Sequence, residues 1–211
     1  MAKTATPALL EEVAAYYAEK LRQHGQTPQG VDWNSAAGQW LRFHQLAKLF
    51  DGNQHFSVND LGSGYGAFYD FISQHYPHAA YIGIDICEAM TEAAQQRHAG
   101  QTQARFICAD SPDQTADYAV TSGIFNVRFG RTDSEWQAYL ETTLDSLDRS
   151  SSRGFAFNCL TRYADADKMK ANLYYADPCQ LFDLCKRKYS RNVALLHDYD
   201  LYEFTLLVRK S

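Results

Sequence analysis

Apolar residues recur three and four apart near the start of the chain, at Leu9, Leu10, Val13, Tyr16, Tyr17 and Leu21, the period of one helix face. The run His24-Gly25-Gln26-Thr27-Pro28-Gln29-Gly30 stops that helix. Asn34 or Ser35 can cap a second helix, which carries Trp40, Leu41, Phe43, Leu46, Leu49 and Phe50 and ends at Asp51-Gly52-Asn53. From residue 56 the period changes. Short apolar runs at 56–61, 80–84, 104–108, 118–121 and 154–160 read as strands. Helical patterns separate them at 67–76, 87–98 and 134–148, the last with Trp136, Tyr139, Leu140, Thr143, Leu144 and Leu147 on one side. A further helix at 178–189 opens on Pro178, and strands at 193–196 and 202–208 follow.

Strands that alternate with helices predict an α/β fold, a mostly parallel sheet with helices on both faces. The last two strands depart from that rule. Only His197-Asp198-Tyr199-Asp200-Leu201 joins them, too few residues for a parallel crossover, so they form an antiparallel hairpin.

A chain of 211 residues suits one domain. Its 25 acids outnumber its 20 lysines and arginines, which argues against a nucleic-acid partner, since phosphate binding needs a basic surface. The most basic stretch, Lys186-Arg187-Lys188, ends a predicted helix, where cations suit the dipole. Five cysteines without a C-x-x-C pair imply a reducing compartment, with no disulfide and no metal site; Cys108 and Cys159 read as buried small hydrophobes. The leader Met1 to Pro7 is followed by no secretory apolar stretch, and no segment has the roughly 20 apolar residues of a membrane span. A cytoplasmic protein, with no membrane partner, is expected.

The candidate chemistry begins at Asp60-Leu61-Gly62-Ser63-Gly64-Tyr65-Gly66, between the first strand and the helix after it. Glycines there let the backbone approach a ligand, and with Ala67 the run also fits the dinucleotide pattern G-x-G-x-x-A. Asp85 ends the second strand 19 residues after Gly66, where an ionised carboxylate can accept bonds from two ribose hydroxyls. Asp110 follows the third strand and can accept from an adenine amino group, with the Ala109 N–H beside the ring. All three acids fall at the sheet edge where ligands bind in open α/β folds.

As a set, these residues resemble the class I, Rossmann-like, S-adenosylmethionine-dependent methyltransferases over residues 56–209. The resemblance implies a seven-stranded sheet of order 3-2-1-4-5-7-6 with an antiparallel last strand, a methyltransferase core at 56–211, and an N-terminal helical lid at 1–55 within the same domain. It implies S-adenosylmethionine as cofactor and S-adenosylhomocysteine as product, held by Asp60, Gly62, Ser63, Gly64, Tyr65, Gly66, Asp85, Ile86, Ala109, Asp110, Ser111 and Ser122. Trp33 is expected near the sulfonium or as an apolar anchor for the lid, with Tyr16, Tyr17, Arg42 and Phe43 as further pocket candidates. The terminal hairpin argues against a dehydrogenase. Acceptor contacts are expected from Asn126 and Arg128 after the fourth strand and from Asn158, Thr161, Arg162 and Tyr163 after the fifth, each arginine clamping an anion or pairing with an acid. No residue stands out as a base; His197, Tyr163 and Arg128 are the catalytic candidates, with His24 and His44 behind them. The fourth-strand region Thr121-Ser122-Gly123-Ile124-Phe125 lacks the D/N-P-P-Y signature of adenine methylases. The expected activity is O- or N-methylation of a small molecule by a monomer or homodimer. The alternatives are methylation of RNA or a protein side chain, or cofactor binding without catalysis.

Overall fold

A computed structural model describes residues 7–50, 52 and 55–210. Residues 1–6 of the leader and part of the expected helix stop at Asp51-Gly52-Asn53 lie outside the described residues. Helix α1 spans Pro7–His24, a 3-10 turn follows at Pro28–Val31, and α2 spans Ala36–Ala47. Ser35, not Asn34, caps α2: its hydroxyl accepts from the Gly38 N–H at 3.1 Å. The core then alternates β1 (Ser57–Leu61), α3 (Ala67–His75), β2 (Ala80–Asp85), α4 (Glu88–Arg97), β3 (Ala104–Cys108) and β4 (Ala116–Thr121). It closes with α5 (Asp133–Arg149), β5 (Ser151–Leu160), α6 (Pro178–Lys188), β6 (Asn192–Leu196) and β7 (Glu203–Arg209).

The seven strands lie in the order β3-β2-β1-β4-β5-β7-β6, as the resemblance implies. β1 to β5 pair in parallel, and β7 enters antiparallel between β5 and β6. One face of the sheet packs against α2 and α3 through Phe43, Leu46, Phe68, Phe71 and Ile72. The other face meets α5 and α6 through Leu140, Leu144, Leu147, Leu181 and Cys185. With both faces covered, β1 is buried along almost its whole length, and even its polar Asn59 is enclosed. The Asn59 amide donates to the Gln114 and Ser150 carbonyls at 2.9 and 3.1 Å, tying β1 to the bottom of its neighbours.

β4 and β5 start two and three residues earlier than the apolar runs suggest, because Ala116 pairs with Ser151 across a register shift that sets Ser152 and Arg153 against Asp117. Cys159 is buried as expected, but Cys108 is exposed. β3 is an edge strand, so its apolar run is covered on one side only. Among the described residues no helix is long and apolar enough to cross a membrane.

Candidate active site

The carboxyl ends of β1, β2 and β4 open on one cavity of about 910 Å³, near the top of the roughly 300–1,000 Å³ range of small-molecule sites. The glycine turn after β1 is stitched to the end of β2. Gly62 and Ser63 donate to the Ile84 carbonyl at 2.7 and 3.1 Å, and Gly64 donates to the Asp85 carboxylate at 2.8 Å. The other Asp85 oxygen accepts from the Cys87 N–H at 2.8 Å. Asp85 is therefore more than a strand-end acid: it fixes the turn, and each oxygen keeps a lone pair for a ligand. Burial holds its carboxyl above the usual range. Gly64 is left-handed (φ 55°), and a Cβ there would stand 3.0 Å from the Val31 side chain, so the turn at Pro28–Val31 rests directly on it.

Asp60 is 3% exposed and accepts a hydrogen bond from the Tyr81 hydroxyl. Burial, reinforced by the nearby Asp85 charge, pushes its carboxyl up to about 7. Asp110 sits exposed at the cavity margin, accepting from the Ser111 hydroxyl at 2.8 Å. Of the other expected cofactor residues, Gly62, Ser63, Gly64, Tyr65, Ile86, Ser122 and Trp33 line the cavity. Gly66, Ala109 and Ser111 do not. Gly66 caps α3, and the Ala109 N–H, expected beside an adenine, is spent on the Asp85 carbonyl at 2.9 Å.

Asn158 is fully buried and acts from behind. Its side-chain oxygen accepts from the Gly123 N–H at 2.8 Å, and its amide donates to the Ser122 hydroxyl at 3.2 Å. Trp33 covers this turn: a Cβ on Gly123, at φ 84°, would lie 2.5 Å from the indole. The cation against the Trp33 ring is the chain's own Arg42, whose guanidinium lies 4.0 Å from the ring centroid. Arg42 in turn forms a buried two-pronged pair with Glu203 at 2.8 and 2.6 Å.

Helix α1 lies over the wall that the glycine turn and α4 form. Ala14, Tyr17, Ala18 and Leu21 pack with Tyr65, Cys87, Met90 and Val31. Asp32 binds the Tyr16 hydroxyl and, at 2.7 Å, Lys20, which fastens the turn to the helix. The opposite wall is the β5–α6 loop. It pairs with the loop after β4 through a Val127–Leu173 bridge, an Arg128 N–H bond to the Asn172 carbonyl (3.1 Å) and a Tyr174 N–H bond to the Asn126 carbonyl (2.8 Å).

The catalytic candidates fall outside the cavity lining. Tyr163 is 64% exposed, with the His197 ring 6.1 Å away. Arg128 is bound by Asp133, and Arg162 by Asp177 at 2.7 Å, so each arginine pairs with an acid. His24 lines the cavity, whereas His44 packs against His75 on the far side of α2. Sequence reasoning missed Glu203, Tyr139, Thr143 and the loop lysines Lys168 and Lys170, all of which line the cavity. Glu203 leaves a signal in retrospect: an acid opening the apolar run Glu203-Phe204-Thr205-Leu206-Leu207-Val208 demands a buried partner.

The methyltransferase-domain family matches residues 58–149. A Mycobacterium tuberculosis protein named as a methyltransferase, Rv1506c, is 59% identical over 156 residues, which cover 74% of this chain and 94% of that protein. Among solved structures, magnesium protoporphyrin IX methyltransferase of Synechocystis PCC 6803 with bound SAH has a TM-score of 0.69 at 18% identity, covering 95% of this chain and 99% of that one. The DhpI-SAM-HEP complex has a TM-score of 0.66 at 14% identity, covering 98% and 99%. With this relative, this family match and this strand order, the chain belongs to the class I, Rossmann-like, S-adenosylmethionine-dependent methyltransferases.

Proposed function

We propose that the chain transfers a methyl group from S-adenosylmethionine to an oxygen or nitrogen atom of a small molecule. When bound, the cofactor supplies an electrophilic methyl on a sulfonium, and the protein's contribution is alignment and exclusion of water. Asp85 accepts the ribose hydroxyls through its free lone pairs. Asp60, ionised, faces the cationic amino acid end. Asp110 takes the adenine amino group at the margin. Residues 7–50 serve as the lid and residues 56–210 as the core, with Trp33 and Val31 seated on the Gly123 and Gly64 turns.

The observation that supports a small acceptor is the roof. Trp33 over Gly123 and Tyr16 edge-on to Phe129 (5.4 Å), all lining the cavity, cover part of it with the chain's own N-terminal segment. A partly covered site of this size suits a small ligand. The test is transfer of tritium from methyl-labelled S-adenosylmethionine into a cell extract. Label in the small-molecule fraction is expected; label only in RNA or protein, or in nothing, overturns the reading.

A further inference from the structure

Charge inside the cavity is sorted from one wall to the other. Its acids are Asp60, Asp85 and Asp110 at the strand ends, plus Asp32 and Glu203, which Lys20 and Arg42 neutralise. With those two cations committed, the remaining lysines and arginines of the lining are Lys168 and Lys170, both on the β5–α6 loop. Lys170 makes no ion pair among the described residues. Lys168 meets only its sequence neighbour Asp167 at 3.0 Å, in an exposed pair that water screens.

A second observation lies on the segment paired with that loop. Asn126 is 8% exposed and lines the cavity, yet its side-chain oxygen is buried without a hydrogen-bond partner. Its backbone is already fixed, the N–H to the Gly123 carbonyl at 3.2 Å and the carbonyl to Tyr174. A buried acceptor left unpaired is costly, and a ligand N–H or O–H would recover that cost.

We propose that the methyl acceptor is an anionic small molecule, bearing a carboxylate or phosphate held by Lys168 and Lys170 and a hydroxyl or N–H group held by Asn126. This inference rests on the small-molecule reading above. Two ammonium groups and an amide oxygen lining one cavity recognise both functions of such a molecule, and the acids at the cofactor wall repel its charged end from the wrong side. The loop pairing 126–128 with 172–174 keeps the two recognition elements at a fixed spacing.

The test divides the small-molecule extract on an anion-exchange resin and offers each pool to the enzyme with tritiated cofactor. The retained pool is expected to accept the label. The double variant Lys168→Ala/Lys170→Ala should raise the KM for that pool at least tenfold while calorimetry gives an unchanged S-adenosylhomocysteine affinity. Asn126→Ala should lower kcat/KM at least tenfold, again with cofactor affinity intact. Acceptance confined to the unretained pool, or an unaltered KM in the lysine variant, overturns the anionic acceptor and leaves methyl transfer standing. A parallel loss of S-adenosylhomocysteine affinity in Asn126→Ala assigns that oxygen to the cofactor and overturns its acceptor role. Label in neither pool defeats the small-molecule reading itself.

Discussion

Burial pushes the Asp60 carboxyl up to about 7, so its proton is within reach of neutral pH. An ammonium brought beside it favours the ionised form, so cofactor binding should expel a proton. S-adenosylhomocysteine affinity should therefore fall as pH drops from 8 to 6, and calorimetry in buffers of different ionisation enthalpy should register proton release; Asp60→Asn should abolish both. Folding runs the other way. A carboxyl raised in the native state adds stability below its unfolded value near 4, and that stability is lost as pH rises towards 7. Asp60→Asn should lose less of its urea midpoint over that range than the parent, the remaining decline coming from the raised Asp85 carboxyl. Asp85→Ala should weaken S-adenosylhomocysteine by about 1.5–3 kcal/mol, the range for a hydrogen bond to a charge. It should also lower stability, since the Gly64 and Cys87 N–H groups lose their acceptor. The strand-end acids were legible because each sits at a recognisable change of period. Glu203 and its partner Arg42, 161 residues apart, were not legible as a pair, since nothing local links them.

At the scale of elements, the Arg42–Glu203 pair joins α2 to β7 and places the roof relative to the sheet. Arg42→Ala strands a carboxylate that is 1% exposed and removes the platform under Trp33. A loss of about 3–5 kcal/mol in urea denaturation is expected. The lid proposal makes a separate demand on α1 and the turn after it. Amides from Tyr16 to Trp33 should exchange quickly in the free protein and slow sharply with S-adenosylhomocysteine; equal protection in both states would make these helices permanent scaffold. Element type and order were readable from the alternation of periods. The turn at Pro28–Val31 was not, since its seating depends on Gly64, remote in sequence. The β5–α6 loop was equally opaque: Lys168 and Lys170 look like any surface lysines until the bridge at Val127 and Leu173 folds them over the cavity.

For the molecule as a whole, a ligand bound only by the native state raises stability with its concentration. S-adenosylhomocysteine at one hundred times its dissociation constant should add about 2.7 kcal/mol, or about 5–10 °C in Tm for a chain of this size. NAD should shift nothing; a matching shift with NAD would contradict the family assignment. The closing hairpin was the best-read global feature, because so short a link between two strands leaves an antiparallel pair as the one solution, whereas the full strand order followed from the family resemblance. The exposure of Cys108 was the worst-read, because a strand at the sheet's edge and one in its middle share the same composition.

The place of β7 has a consequence for synthesis. On the ribosome β5 and β6 emerge before the strand that separates them in the finished sheet. Until Glu203 to Arg209 arrives, β5 presents an open edge of unpaired N–H and C=O groups, β6 has no neighbour to pair with, and Arg42 has no counter-charge. A chain cut short anywhere before β7 would thus lack more than one strand. It would carry a sticky sheet edge and an unroofed cavity, the kind of product that cellular quality control holds or destroys.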